Sequence, residues 1–368
     1  MARATASLGR FFRFAKSATS IPPALLNSDV MPDPHNVRTC KSPVDDRIAI
    51  LRERLHRGFY MPIKYLGPFV ILAVLMTAVS SHALAQAVEC TSMIKAVEVN
   101  GTTLHYAECG RGDTVVLVHG STGDLNSLSR HAQLLASEFR TIVYSRRFHF
   151  PNDPPQEGDA YALRQHVNDL AALIHGLNLG QAHVVGHSYG GYVGLVLALE
   201  YPDLVRSLIM GEPPVLPMLS NTSVGKALRG SFDRRVKIPA RDAYEQGEMQ
   251  EGLRRFLNGV IYPGWFDKLP PDVQTEMVER AGPEHRLEIL TETSVYMPPV
   301  SCEALAELGR PALLMTGERS HARFLLVTAE LEECLIDESY VMVPEVGHGM
   351  FSNVSFTNDA ILTFLNGQ

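Results

Sequence analysis

A mostly parallel α/β sheet of eight strands, with helices on both faces and a helical cap, is the fold class this sequence predicts. Three observations carry it. From residue 94 onward, short β-branched runs alternate with amphipathic stretches, the pattern of repeated strand–helix crossovers. Thr114–Val118 (TVVLV) is a continuous apolar run ending at His119-Gly120, as expected of a strand covered on both faces. The alternation breaks between Pro213 and Glu307 and then resumes, so the intervening stretch reads as an insertion.

Taken in order, Ile94–Val99 and Thr103–Glu108 flank Asn100-Gly101, a strong two-residue hairpin signal. After Thr114–Val118 come a helix over Leu125–Glu138 and a strand at Thr141–Tyr144. Tyr161–Leu177 sets Leu163, Val167, Leu170, Leu173 and Ile174 at spacings of three and four, the mark of an amphipathic helix. His183–Val185 is a strand, Gly190–Glu200 a helix and Val205–Met210 a strand. The insertion carries helical segments at Asp242–Leu257 and Pro271–Ala281, several prolines and the only tryptophan, Trp265. Pro311–Met315, Ala322–Leu335, Tyr340–Val343 and Ala360–Leu365 complete the series as strand, helix, strand, helix. The expected division is a core over 90–212 and 308–368 with a cap over 213–307.

The chain has 368 residues, 45% hydrophobic and 20% charged, with net charge −7. This is ordinary for a folded domain and argues against disorder and against a multi-span membrane protein. The charge divides unevenly. Residues 1–85 hold 11 Lys and Arg against five Asp and Glu, leaving the remainder at −13. An acidic body argues against nucleic-acid binding, which draws on clustered Lys and Arg.

The switch in charge coincides with Phe69–Val79 (FVILAVLMTAV), preceded by Lys64 and followed by Ala83-Leu84-Ala85. An eleven-residue run is too short for a bilayer core but fits a secretory signal peptide over 61–85, starting at Met61 and cleaved near Ala85. Residues 1–60 then read as an extension, untranslated or without a core. The alternative is an uncleaved membrane anchor over 65–87. Residues 1–28, with four basic residues and no acidic one, also have the look of an organellar transit peptide. The expected location is therefore periplasmic or secreted. Cys40, Cys90, Cys109, Cys302 and Cys334 are too scattered for a disulfide framework; export permits a bridge, but buried free thiols are the favoured expectation. No zinc-ligand spacing occurs, and neither metal nor organic cofactor is implied.

Val184-Val185-Gly186-His187-Ser188-Tyr189-Gly190-Gly191 is the informative segment. A G-x-S-x-G between an apolar strand and a helix holds its serine on a tight turn above the sheet. There the hydroxyl also lies at a helix N-terminus, which favours developing negative charge. Ser188 is thus the candidate nucleophile. His348, in Glu345-Val346-Gly347-His348-Gly349, follows the last strand at the same carboxyl edge of the sheet and is the candidate base. His119 and His187 flank glycine turns and His321 begins a helix, so these compete less well. The oxyanion amides are expected from Tyr189 and from Ser121.

On His119-Gly120, the Gly186–Gly191 turn and Gly347-His348, in that chain order, the sequence resembles the α/β-hydrolase superfamily over roughly residues 94–366. The resemblance implies a triad acid in one of two places. After the strand that follows the cap, the chain reads Thr316-Gly317-Glu318-Arg319-Ser320, with Ser320 where relatives carry aspartate. After the strand that precedes the cap, it reads Gly211-Glu212-Pro213-Pro214. Glu212 is favoured and Glu318 is the alternative. A second departure is Ser145-Arg146-Arg147-Phe148-His149-Phe150-Pro151-Asn152, where relatives carry an Asp-x-Arg-Gly-x-Gly loop. It reads either as pocket lining or as a solvated loop. Tyr262, Trp265, Phe266 and Tyr296 are candidates for lining an apolar substrate pocket, with simple core packing as the alternative. A serine nucleophile implies acyl chemistry, with a small or medium carboxylic ester favoured. It disfavours dehalogenase or epoxide hydrolase activity, whose nucleophile in this superfamily is aspartate. A carbon–carbon bond hydrolase and a low-turnover ligand-binding protein remain open.

Overall fold

The computed structural model describes residues 93–368. The proposed leader, anchor and extension lie outside the described residues. Among the described residues, no helix is long and apolar enough to cross a membrane.

Eight strands form one sheet in the order β1-β2-β4-β3-β5-β6-β7-β8. They are β1 (Lys95–Val99), β2 (Thr102–Cys109), β3 (Thr114–Val118), β4 (Arg140–Tyr144), β5 (Ala182–His187), β6 (Val205–Gly211), β7 (Ala312–Gly317) and β8 (Glu338–Val343). β1 and β2 pair antiparallel across Asn100-Gly101, both of which have positive φ (47° and 70°), the conformation a two-residue hairpin requires. From β4 to β8 every pairing is parallel. The predicted fold class is therefore the observed one.

Side chains alternate across the sheet and fill two cores. Val116 and Val118 of β3 join one cluster with Val184, Leu208 and Leu314. Val115 and Leu117 face the other way, with Val185, Ile209 and Met315. The first face is covered by α2 (Leu163–Gly176) and α3 (Tyr189–Glu200), the second by α1 (Ser129–Leu135) and the C-terminal helix Val354–Leu365. α3 is buried along almost its whole length, as a helix apolar on every side must be.

Between β6 and β7 the chain runs through α4 (Ser223–Phe232), a short π-helical turn, α5 (Ile238–Glu245), α6 (Met249–Val260), α7 (Pro271–Leu290), α8 (Thr293–Tyr296) and α9 (Cys302–Ala306). Two expectations need correction here. The helix read over Asp242–Leu257 is two helices, broken at Gly247, whose φ of 78° an α-helix cannot hold. The helix read as ending at Ala281 continues to Leu290 through Pro283. Proline removes one hydrogen bond, but tertiary packing of Gly282, His285 and Ile289 outweighs that local cost. The helix expected over Leu125–Glu138 is confined to Ser129–Leu135.

The free-thiol expectation also fails. Cys302 of α9 is bonded to Cys334, the last residue of α10 (Ala322–Cys334), and Cys109 is disulfide-bonded as well. Packing of the cap's exit helix against α10 brings the Cα atoms of Cys302 and Cys334 within 5.0 Å, inside bridging range. Spacing in the sequence gave no hint of it. Closing a loop of this length stabilises a fold by roughly 3–4 kcal/mol in the chain-entropy picture.

Candidate active site

The edge where β5, β6 and β8 end holds three side chains in one line. Ser188 has φ 52° and ψ −123°, a strained conformation that the surrounding turn imposes. The turn is too tight for side chains: a Cβ on Gly186 would lie 2.4 Å from Gly190 O, and one on Gly190 would lie 2.2 Å from Val118 O. His348 Nε2 lies 2.9 Å from Ser188 Oγ, and His348 Nδ1 lies 2.6 Å from Glu212 Oε2. Because a carboxylate can only accept, Nδ1 carries the proton and the Nε2 lone pair faces the serine hydroxyl.

Glu212 itself is fully buried, at a positive φ of 46°. Burial opposes its ionisation. The hydrogen bond and charge of His348, then Ser320 and the Gly317 amide, overcome that and hold its carboxyl below the ordinary value. Gly317 N–H donates to Oε1 at 2.8 Å, and Ser320 Oγ donates to Oε2 at 2.8 Å. Ser320, standing where relatives carry an aspartate, thus supports an acid supplied from the neighbouring strand. Glu318 points elsewhere and accepts the Glu345 N–H at 2.8 Å.

His348 is packed as well as bonded. Phe324 of α10 stacks on its ring at 4.1 Å with an interplanar angle of 6°. His187 Nε2 donates to the His348 carbonyl at 2.8 Å, and burial pushes His187 down to about 4. His119 accepts the Arg146 N–H at Nε2 and donates from Nδ1 to Gly120 O. His321 is the residue preceding α10. All three histidines hold backbone in place.

Tyr189 is the first residue of α3, so its N–H has no acceptor within the helix. Ser121 is buried beside Gly120, whose Cβ position would lie 3.2 Å from Ser188 Cβ. Among the described residues, neither amide donates to a backbone carbonyl. The arrangement can therefore pass a proton from serine to imidazole, and it leaves two backbone amides next to the serine turn without a backbone acceptor.

The proposed pocket aromatics are placed differently. Phe266 is wholly buried within the cap's own apolar cluster, Trp265 packs against that cluster, and Tyr262 is exposed with Lys268 over its ring. Trp265 and Phe266 belong to cap packing and Tyr262 lies on the surface; the cluster includes Phe324, which stacks on His348. Tyr296 does come to the site edge, stacked on Tyr189 at 5.2 Å.

Sequence reasoning missed a buried polar cluster beside Ser121 and Tyr189. The 145–152 segment is not a solvated loop: Ser145, Arg146, Arg147, His149 and Asn152 are all buried. Arg147 is locked onto Asp169 by bonds of 2.8 and 2.6 Å. Arg146 donates to Gly120 O at 3.0 Å and to Tyr161 Oη at 3.3 Å, and Tyr161 donates to Glu288 Oε2 at 3.0 Å. Glu284, one helical turn before Glu288 on α7, lies 3.0 Å from His149 Nε2. Burial raises Glu284 to about 8 and, with the charge of Glu284, raises Glu288 to about 7.

These shifts set a stability profile. Burial depresses eight histidines: His119, His131, His149, His166, His183, His187, His285 and His321. Below pH 6.5 the unfolded chain binds protons that the folded one refuses, so stability falls as pH falls. Glu284 and Glu288 act oppositely. Above their ordinary 4.5 the folded chain keeps protons that the unfolded one releases, so stability falls as pH rises, until about pH 8. Between 4.5 and 6.5 the more numerous histidines dominate. The melting temperature should therefore peak between about pH 6.5 and 7. The Glu284→Gln/Glu288→Gln double variant should lose the alkaline decline and keep the acidic one. An alkaline limb unchanged in that variant would contradict the assignment.

Comparison with known proteins agrees with this architecture. A family model described as alpha/beta hydrolase fold matches residues 113–244. The chain is 30% identical over 131 residues to the uncharacterized hydrolase YraK of Bacillus subtilis (strain 168), covering 36% of this chain and 48% of that protein. It is 34% identical over 113 residues to 2-(acetamidomethylene)succinate hydrolase of Mesorhizobium japonicum, covering 31% and 40% respectively. The chain thus spans about half the length of the curated relatives it matches. Among solved structures, the enol-lactonase of Burkholderia xenovorans LB400 superposes with a TM-score of 0.60 at 18% identity, over 74% of this chain and 100% of that one. That likeness is one of fold.

Proposed function

On the premise that the chain belongs to the α/β-hydrolase fold superfamily, we propose that it is a serine hydrolase acting on a small or medium carboxylic ester or related acyl substrate. The continuous hydrogen-bonded line Ser188–His348–Glu212 carries this reading. Ser188 Oγ attacks the carbonyl carbon as His348 Nε2 takes its proton, and Glu212 stabilises the imidazolium. The Tyr189 and Ser121 amides bind the oxyanion. The tetrahedral intermediate collapses, and His348 gives its proton to the leaving alcohol. Water, deprotonated by the same imidazole, then releases the acid and restores Ser188.

We also infer that the protein works outside the cytosol. The Cys302–Cys334 bridge supports an oxidising compartment, in keeping with the leader read over residues 61–85.

The test is labelling of Ser188 by a fluorophosphonate, followed by turnover of short acyl esters. Labelling with steady ester hydrolysis is expected. Labelling without turnover would move the reading to a carbon–carbon hydrolase or a low-turnover binding protein, and no labelling would remove the nucleophile.

A further inference from the structure

We propose that Arg323 is a positioning residue for the base: it fastens the cap's α6 to the first turn of α10 and, through the ring of Phe324, holds His348 in the plane that Glu212 and Ser188 require. The proposal rests on the serine-hydrolase reading and adds a residue to its machinery.

The first ground is the seat of the guanidinium. Arg323 is buried, and among the described residues no carboxylate lies within ion-pairing distance of it. Burial pulls its pKa down to about 10, opposed only by the charge of Glu212 at longer range. A buried cation with no acid beside it needs another source of negative potential. The end of α6 supplies one. Gly259 is the last residue but one of α6, and the residue four further on, which would donate to its carbonyl in a continuing helix, is Pro263. Proline has no N–H, so that carbonyl is left open, and Arg323 Nη2 donates to it at 3.0 Å. A cation at a helix C-terminus also meets the negative end of the dipole. Two rings complete the seat: the guanidinium lies 4.5 Å from the ring of Phe232 in α4 and 4.6 Å from that of Phe324, within cation–π range.

The second ground is what this seat adjoins. Phe324 stacks on His348 and belongs at the same time to the cap's apolar cluster. Its neighbours in the chain also reach both ways. Ser320 donates to Glu212, and His321 adjoins the Val260 carbonyl. A Cβ on Gly347, the residue before His348, would lie 3.9 Å from Ile261 O. Residues 320–324 thus form a splice between the end of α6 and the triad, and Arg323 is the member that ties it. The base needs such a tie. Its bond to Glu212 fixes one ring nitrogen but leaves the ring free to tilt about that contact. Displacing a reacting group by about 1 Å costs on the order of a hundredfold in rate. A flat stack prevents the tilt only where the stacking ring is itself held, and Arg323 holds it.

Arg323→Met keeps an unbranched apolar stem and removes the donor and the charge. The panel is p-nitrophenyl acetate, butyrate and hemisuccinate, the last carrying a carboxylate. On each ester kcat should fall by at least about tenfold, with KM within about twofold. Phe324→Leu should do the same. The double variant should be no more than about twofold slower than the slower single one, because the two residues act in series. The far-downfield NMR signal of the His348 Nδ1 proton should weaken or move upfield in all three. A smaller fall in kcat, losses that multiply in the double variant, or an unmoved signal would overturn the proposal. So would a KM raised for the hemisuccinate alone with kcat held, which would make Arg323 a group that binds substrate anions. Should Arg323→Met fail to fold by circular dichroism, Arg323→Lys replaces it under the same criteria, since an ammonium cannot serve the carbonyl and two rings at once. Should no ester turn over, the rate constant of fluorophosphonate labelling replaces kcat, because it draws on the same base. Labelling of the wild type is run in parallel. Labelled Ser188 with unaltered variants defeats the positioning role alone, whereas unlabelled Ser188 defeats the hydrolase reading.

Discussion

Replacing Ser188 by alanine should lower kcat on the best ester of the panel by about six orders of magnitude, with the fold intact. The serine supplies the attacking oxygen, so nothing in the line can compensate. His348 would keep its bond to Glu212 and its stack on Phe324, and the oxyanion amides would stay in place. The strained φ of residue 188 is imposed by close contacts at Gly186 and Gly190, so alanine adopts it too. Rates are to be normalised to active sites, and fluorophosphonate labelling should vanish. A loss smaller than about a hundredfold would mean that another group attacks.

Glu212→Gln should cost about four orders of magnitude in kcat. The carboxylate accepts from His348 Nδ1 at 2.6 Å and so leaves the Nε2 lone pair to Ser188. A glutamine can present its NH2 instead and force the proton onto Nε2, the wrong tautomer for a base. It would also lose the negative charge that balances the imidazolium. Glu318→Gln is the contrasting variant. Its carboxylate serves the Glu345 amide, so turnover should stay within about twofold, as for an exposed side chain remote from the chemistry. Equal losses in the two variants would remove Glu212 from the line.

Much of this site could be read from the sequence because its parts are local. The serine turn is one contiguous run of glycines between strand and helix, and Glu212 sits at the end of an apolar strand. His348 follows the last strand. Each needs only its own neighbours to be placed, and the parallel sheet does the rest. The polar cluster was not legible for the opposite reason. Arg146, Tyr161 and Glu288 meet across 142 positions of chain, from a loop, a helix approach and the cap. Glu288, like Glu284, lay beyond Pro283, where a local rule ended the helix and tertiary packing continued it. Cap aromatics misled because a large apolar side chain fits a pocket wall and a core equally well, and Phe266 serves the core. Ser320 carried a signal in its departure from the expected acid, but its role required knowing which strand supplies Glu212.

Placing the acid at the end of β6 makes the two junctions of the cap unequal. Pro213 follows Glu212 directly, so the entry junction is joined to the charge-bearing residue, while the exit enters β7 at Ala312, six residues before Glu318. The helices between could be exchanged as a cassette to retune the chain for other molecules only if the graft begins after Glu212. A cut even two residues earlier takes the carboxylate out with the cap. It would leave the Gly317 amide and the Ser320 hydroxyl of the core with no acceptor to serve. A cap of this kind is portable at one end only.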